Sequence, residues 1–330
     1  MPISRLLQPV PLVGGLVFLG LALVPVIAGL LGEPYYLSLV GRFLVYAIAA
    51  SALNLILGYG GLVSLGHALF MGLGVYGVAI ASHYGLDSGL LHLALGLAAC
   101  ALIGLLTGAV SLRTTGIGFI MITLAFSQMG YYLFVSLRAY GGDDGMPIVY
   151  TSRFGGLDLG NPASLYWVAF VLLVALTCWS ARLRTSPFGM VLRGAARNAQ
   201  RVEALGLPVF RYRLVGYVLS AMICGVAGLL LANLSAYASP STLVWNVSGE
   251  LIVMVVLGGM GTVFGPVLGA VLFLSLEELL KAYTDHWMAG LGLAITLMAL
   301  LGHGGLVGLL SRLRPRPAAP VPVQMEGGQP

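Results

Sequence analysis

Apolar stretches of about twenty residues, the length that lets a helix cross a bilayer, follow one another along this chain, each closed by a short polar or glycine-bearing break. Spans are expected at 10–31, 36–57, 62–83, 90–111, 117–137, 163–181, 214–235, 248–259, 263–283 and 287–309. The pattern predicts an all-α polytopic membrane protein with about ten transmembrane helices, within a range of roughly 8–10. The eighth span is short, because Gly258-Gly-Met-Gly261 and Gly265-Pro266 interrupt it. A full crossing, a half-helix and a re-entrant hairpin all fit, since irregular backbone at membrane depth is tolerated where protein or a water-filled cavity covers it. Residues 1–311 read as one transmembrane domain, and the Pro/Gly-rich 312–330 as a disordered cytoplasmic tail.

Composition agrees: 59% of residues are hydrophobic and 8% charged, against about 25% charged in soluble domains. The polar exception is the loop 182–213. It carries Arg182, Arg184, Arg193, Arg197, Arg201, Arg211 and Arg213 with a single acid, Glu203. Loops rich in Lys and Arg stay in the cytoplasm. With this one inside, both termini fall inside too, together with Arg5, Arg113, Arg312, Arg314 and Arg316. Glu33, Asp87, Asp143, Asp144, Asp158 and Asp285 then lie outside, where Tyr35, Tyr36, Tyr131, Tyr132, Tyr166, Trp167, Trp245 and Trp287 form an interfacial aromatic belt. Arg42 fits this topology least well and has to snorkel outward or pair with an acid. The net charge of +5 thus reflects orientation in lipid, and no nucleic-acid partner is implied. Cys100, Cys178 and Cys224 sit in apolar runs and read as small core residues, with no disulfide or metal role. The run 10–31 is too long for a signal-peptide core and reads as a span.

Within the arginine loop, Gly194–Gly206 reads as a short helix that Gly206 closes in a left-handed cap. Ala195, Ala196 and Ala199 give it a small-sided face, and Arg193, Arg197 and Arg201, at i, i+4 spacing, a charged stripe. A cytoplasmic helix between spans is a docking element, although the stripe also suits a merely solvated surface. Several adjacent glycines at Gly58–Gly61 break a helix, and broken helices mark pathways in transporters; most of the rest of the 47 glycines suit close helix packing. His67 reads as a histidine satisfied by Ser64 or a carbonyl, or else as a proton-coupling or substrate group. Asn54, Thr123, Ser127, Gln128 and Asn233 hydrogen-bond between helices or face a pore. Glu250 either complements a helix dipole or meets substrate or a partner at a pathway mouth. The pathway and helix-break candidates are therefore Asn54, Gly58, Gly61, Ser64, His67, Gln128, Glu250, Gly258 and Gly261. Lys281 is the only lysine and stands in no phosphate-loop motif, so the chain is no P-loop ATPase. No H-E-x-x-H or G-x-S-x-G motif occurs either, and no enzyme activity is expected.

At these residues the chain resembles permease subunits of branched-chain amino-acid ABC importers. The resemblance is carried by Ala50–His67, Thr114–Gln128, Ser186–Arg193 followed by Ala204-Leu-Gly206, Ser239-Pro240, Ser248, Glu250, Gly258–Gly261 and Gly265–Ala270. Gly141-Gly-Asp-Asp-Gly145 resembles the outer loop of the M-type permease of that family. The resemblance implies a type II-like ABC importer permease in the bacterial inner membrane. It implies two ABC ATPase subunits, a paralogous permease, and a periplasmic or lipid-anchored substrate-binding protein as partners, with membrane lipid around them. ATP hydrolysis would lie in the partner subunits, and this chain needs no cofactor and no metal. The ATPase-coupling residues would be Arg193, Arg197, Asn198, Glu203, Ala204 and Gly206. The chain departs from the family in one place: Arg197-Asn198 is followed by Ala199-Gln200, and the acid comes only at Glu203. The substrate stays open among branched-chain and related amino acids, amides and urea. A stand-alone secondary transporter or channel is the alternative. Such a carrier usually needs ionisable groups at mid-membrane, and apart from His67 the spans read as nearly bare of them.

Overall fold

In lipid, each backbone N–H and C=O must be satisfied within its own segment, so long apolar runs fold as helices. The computed structural model describes residues 9–31, 34–301 and 304–312. The helices in chain order are α1 (Pro9–Leu31), α2 (Pro34–Asn54), α3 (His67–His83), α4 (Gly89–Ser111), α5 (Ile117–Ser136), α6 (Pro162–Thr185), α7 (Pro187–Arg197), α8 (Ala199–Ala204), α9 (Val209–Ser235), α10 (Trp245–Gly258), α11 (Gly265–Tyr283), α12 (Trp287–Leu301) and α13 (Gly305–Arg312). Among the described residues, five segments are long and apolar enough to cross a membrane: Tyr35–Tyr59, Gly89–Ser111, Ile117–Ser136, Pro162–Thr185 and Val209–Ser235. Val13–Val26, His67–His83 and Trp245–Gly258 are shorter apolar helices.

The core sits around α2, whose residues Phe43–Asn54 are all buried; α2 packs on α6, α9, α10 and α11. Next to it α3, α4 and α9 form the tightest layer. Glycine allows the approach: a Cβ on Gly74 would run into the carbonyl of Gly225, and one on Gly228 into that of Met71. Interfaces of small residues hold helices together in lipid, where apolarity alone gives no preference for a neighbour.

One end of the bundle is capped by strands. β1 (Met146–Pro147) pairs antiparallel with β4 (Tyr237–Ala238), and β2 (Arg153–Phe154) with β3 (Leu157–Asp158). The loop before β1 turns sharply because Gly141, Gly142 and Gly145 all take positive φ (89°, 55° and 81°). The Gly160 amide, the Thr151 hydroxyl and Arg153 hold the Asp158 carboxyl below its ordinary range. The cap and the arginine loop lie at opposite ends of α9, a helix of 27 residues, or about 40 Å at 1.5 Å per residue.

Four expectations need correction. The third span is not helical from residue 62: helix begins only at His67. The tenth divides into α12 and α13. Cys100 and Cys224 are buried, but Cys178 is exposed on α6 and is no core residue. The spans are not bare of charge. Arg42 on α2 lies 3.4 Å from both Glu277 and Glu278 on α11, and Lys281 bonds Glu277 at 2.5 Å. Arg42 thus takes the pairing option, as buried charge requires. Single-span periodicity missed this cluster because its partners are 235 and 236 residues apart. Arg5, Glu33, Arg314, Arg316 and the tail beyond Arg312 lie outside the described residues.

Candidate functional site at the broken end of α2

After Asn54 the second helix widens into a π-helical turn, Leu55–Tyr59. Such turns carry one extra residue and recur at functional sites. The chain then leaves helical geometry from Gly60 to Gly66, with Gly61 at φ 66°. Side chains satisfy this irregular run. Thr123 Oγ1 accepts from the Leu65 amide (3.2 Å), Ser64 Oγ from Gly66 (3.3 Å), and Ser248 Oγ from Ala68 (2.7 Å). Leu62, Ser64 and Gly66 are buried while Gly61 and Val63 are exposed, so the run presents one open face.

A second break, between α10 and α11, packs against the first. Gly259 and Gly261 take positive φ (120° and 70°). Asn54 joins the two: its Nδ2 donates to the Thr262 carbonyl (3.0 Å) and its Oδ1 accepts from the Gly261 amide (2.9 Å). A Cβ on Gly58 would collide with that amide and with Asn54 Oδ1, and one on Gly258 with the Gly265 carbonyl. Three sequence-predicted residues, Asn54, Gly58 and Gly261, thus meet in one contact, while Gly258 packs within the second break against Gly265.

The arginine loop folds over this contact, but not as the single helix expected over Gly194–Gly206. Asn198 is extended (φ −157°, ψ 98°) and separates α7 from α8, where its Oδ1 caps the Arg201 amide at 3.0 Å. An Asn side chain competes with helical bonding and prefers the N-cap. The Arg193–Arg197–Arg201 stripe is therefore split. Arg193 turns back to donate to the carbonyls of Arg184 (2.7 Å) and Gly189 (3.4 Å). Gly206 does close α8 with φ 81°. Ala195 is buried with Val202 and Val209, while Glu203 and Ala204 are exposed. Leu192 of α7 packs directly on Leu55 and Tyr59 of the π turn, and a Cβ at Gly61 would lie 3.0 Å from that of Ala196. Movement of α7 therefore bears on the break in α2. The apolar tip of the loop is open, with Leu205 77% and Met190 54% exposed. Leu192, Leu205 and Met190 were not singled out in the sequence. Apolar residues in an arginine loop are the signal that would have found them.

His67 lies apart from this contact and is wholly buried. Its Nδ1 lies 3.1 Å from Ser64 Oγ and its Nε2 2.8 Å from Ser220 Oγ. Ser220 in turn donates to the Ala52 carbonyl at 2.5 Å. The imidazole thus ties α3 to α9 and α2, and both ring nitrogens are engaged; Ser220 is the partner that sequence reasoning missed. Gln128 is half-buried on α5, and its side chain has no hydrogen-bond partner among the described residues. Glu250 is half-buried on α10 and sits in the field of Arg42, Glu277 and Lys281, away from the break. Among the described residues no group of three His, Cys, Asp or Glu side chains could hold a metal ion.

The model of the branched-chain amino acid transport system / permease component family matches residues 35–308. The chain belongs to this family of membrane permease subunits of ABC transporters. It is 30% identical over 289 residues to the high-affinity branched-chain amino acid transport system permease protein LivM of Escherichia coli K12, covering 80% of this chain and 68% of the relative. The companion LivH of the same organism is 24% identical over 78% of this chain and 88% of its own length. The L-arabinose ABC transporter permease protein AraH of Azospirillum brasilense is 25% identical over 57% of this chain and 56% of its own. No solved structure matches the chain. All the family blocks read in the sequence fall inside the matched permease region. Two of them, Ala50–His67 and Gly258–Gly261, are the segments that meet at Asn54.

Proposed function

We propose that this permease is the M-type subunit of an ABC importer that carries branched-chain amino acids into the cytoplasm by alternating access. In this reading it pairs with a paralogous permease, two ATPase subunits dock on loop 182–213, and a periplasmic or lipid-anchored binding protein delivers ligand. Its type II-like domain crosses the inner membrane about ten times, with both termini inside. The observation that carries the reading is the seating of Leu192 on Leu55 and Tyr59, with the exposed Leu205 at the tip. A force applied to α7 and α8 from the cytoplasm reaches the only π-helical turn among the described residues. There the Asn54 clamp offers a hinge, and the open face at Gly61 and Val63 offers a wall for the pathway. Arg193, Arg197, Asn198, Glu203, Ala204 and Gly206 form the coupling surface.

Coupling is tested at the corner between α7 and α8. Asn198→Ala removes the cap of α8, worth about 1 kcal/mol, and Gly206→Val places a β-branched residue at positive φ. In proteoliposomes of the complete importer, the double variant is expected to hydrolyse ATP with leucine uptake reduced roughly tenfold or more, a loss of about 1.4 kcal/mol in coupling. Unchanged uptake per ATP would place coupling elsewhere. Orientation is tested separately. In a background lacking Cys100, Cys178 and Cys224, a cysteine at Gln200 is expected to resist a membrane-impermeant maleimide in intact cells, and one at Asp143 to react. The reverse pattern would overturn the topology.

A further inference from the structure

Between the end of α2 and α7 lies a cleft of about 510 Å³, lined by Tyr59, Arg184, Arg193 and Arg197 and floored by Gly58 and Gly261. We propose that this cleft is a binding site for a phosphate-class anion, supplied by the headgroup of an acidic phospholipid.

Three arginines line the space and no acidic residue does. Arg184 and Arg197 have no side-chain hydrogen bond or ion pair among the described residues. Arg193 is fixed by two carbonyls, which leaves donors of its five-donor fork free. Tyr59 lines the same cleft; it is 1% exposed, and its hydroxyl is buried with no hydrogen-bond partner. Three cations and an unused hydroxyl in one recess match an oxyanion with several acceptor oxygens, the chemistry for which arginine forks are suited. A zwitterionic amino acid fits poorly, since no carboxylate in the lining would pair with its ammonium group. Gly58 and Gly261 leave backbone where side chains would otherwise fill the floor. The volume exceeds what one carboxylate side chain from a docked protein occupies, while a headgroup with its glycerol fills it better. Met190, 54% exposed, offers the apolar edge such a group needs. Basic pockets between membrane helices on the cytoplasmic side take acidic headgroups in this way. The site does not depend on which solute the permease carries. A bound headgroup would bridge α7 to the π turn and so brace the contact made by Leu192.

The test uses the full chain in nanodiscs of phosphatidylcholine, with or without phosphatidylglycerol, and native mass spectrometry of lipid retained on release. Phosphatidylglycerol is expected to stay bound to the wild-type chain. Retention should fall roughly tenfold or more in Arg184→Gln/Arg197→Gln, which removes two charged donors, and by a smaller factor in Tyr59→Phe. Arg113→Gln, outside the cleft, should match wild type, and monodisperse elution of each variant reports folding. Saturable binding of inorganic phosphate in pure phosphatidylcholine discs, lost in the double variant, would uphold the anion site and name a soluble source. Equal retention by wild type and double variant, with no phosphate binding, would overturn the proposal and leave Arg193 and Arg197 to the coupling surface alone.

Discussion

Gly228→Leu is expected to leave almost no folded chain in the membrane, whereas Gly249→Leu leaves its amount unchanged. Both glycines are on helices, and helix propensity alone would favour either substitution. They differ in what a side chain would meet. A Cβ at Gly228 is driven into the Met71 carbonyl and approaches the Cα of Gly74 at 3.1 Å, while nothing lies within 4 Å at Gly249. Overpacked cores commonly lose about 1–3 kcal/mol. The loss here lies at or above the upper end, because the obstacle is backbone of α3 and no side chain can swing away. Separating α3 from α9 also pulls on the Cys224–His67 carbonyl contact at 3.4 Å and the His67–Ser220 bond. The yield of monodisperse protein, with its thermal midpoint, decides the matter. A Gly228→Leu chain made in normal amount with an unshifted midpoint would show that α3 and α9 do not pack at this distance.

Asn54→Leu is expected to abolish uptake in a chain that is still made and inserted. The carboxamide holds two backbone groups of the α10–α11 turn at once, at 3.0 and 2.9 Å. Its removal leaves the Gly261 amide and the Thr262 carbonyl without that partner, and each orphaned group costs about 1–3 kcal/mol. Asn54→Asp is expected to fare little better, since a carboxylate accepts from Gly261 but repels the Thr262 carbonyl. Ser51→Ala, one turn earlier on the same helix, serves as control, because the buried Ser51 hydroxyl has no partner to lose. Uptake normalised to inserted protein separates the variants. Wild-type uptake by Asn54→Leu would remove the clamp from the mechanism.

What was legible in the sequence follows from how far apart the deciding partners lie. Span positions could be read because twenty apolar residues are a local signal, and α1–α6 and α9–α12 each begin or end within a few residues of an expected span. The glycine breaks at Gly58 and Gly258 were legible for the same reason. Their meeting through Asn54 was not, since the bond joins residues 207 and 208 positions apart. The Arg42 cluster was hidden likewise. The error over Gly194–Gly206 has another origin. Alanine and arginine are strong helix formers, and their number there outweighed one Asn whose capping preference split the segment. His67 and Ser64 were adjacent enough for their bond to be among the readings, whereas Ser220 lay out of sight on another helix.

The π turn changes how residues along α2 should be compared. One residue added to a helix rotates all that follows by about 100°, the angle of a single α-helical step. Positions before Asn54 and those at the end of the π turn therefore belong to two different helical phases. A contact map, a cysteine scan or a cross-linking series that numbers straight through this segment assigns Gly58 and Tyr59 to the wrong azimuth. Deleting one residue within Leu55–Tyr59 would restore a single phase. It would also swing Gly61 away from Ala196, so in this permease chain length itself aims the break at the arginine loop.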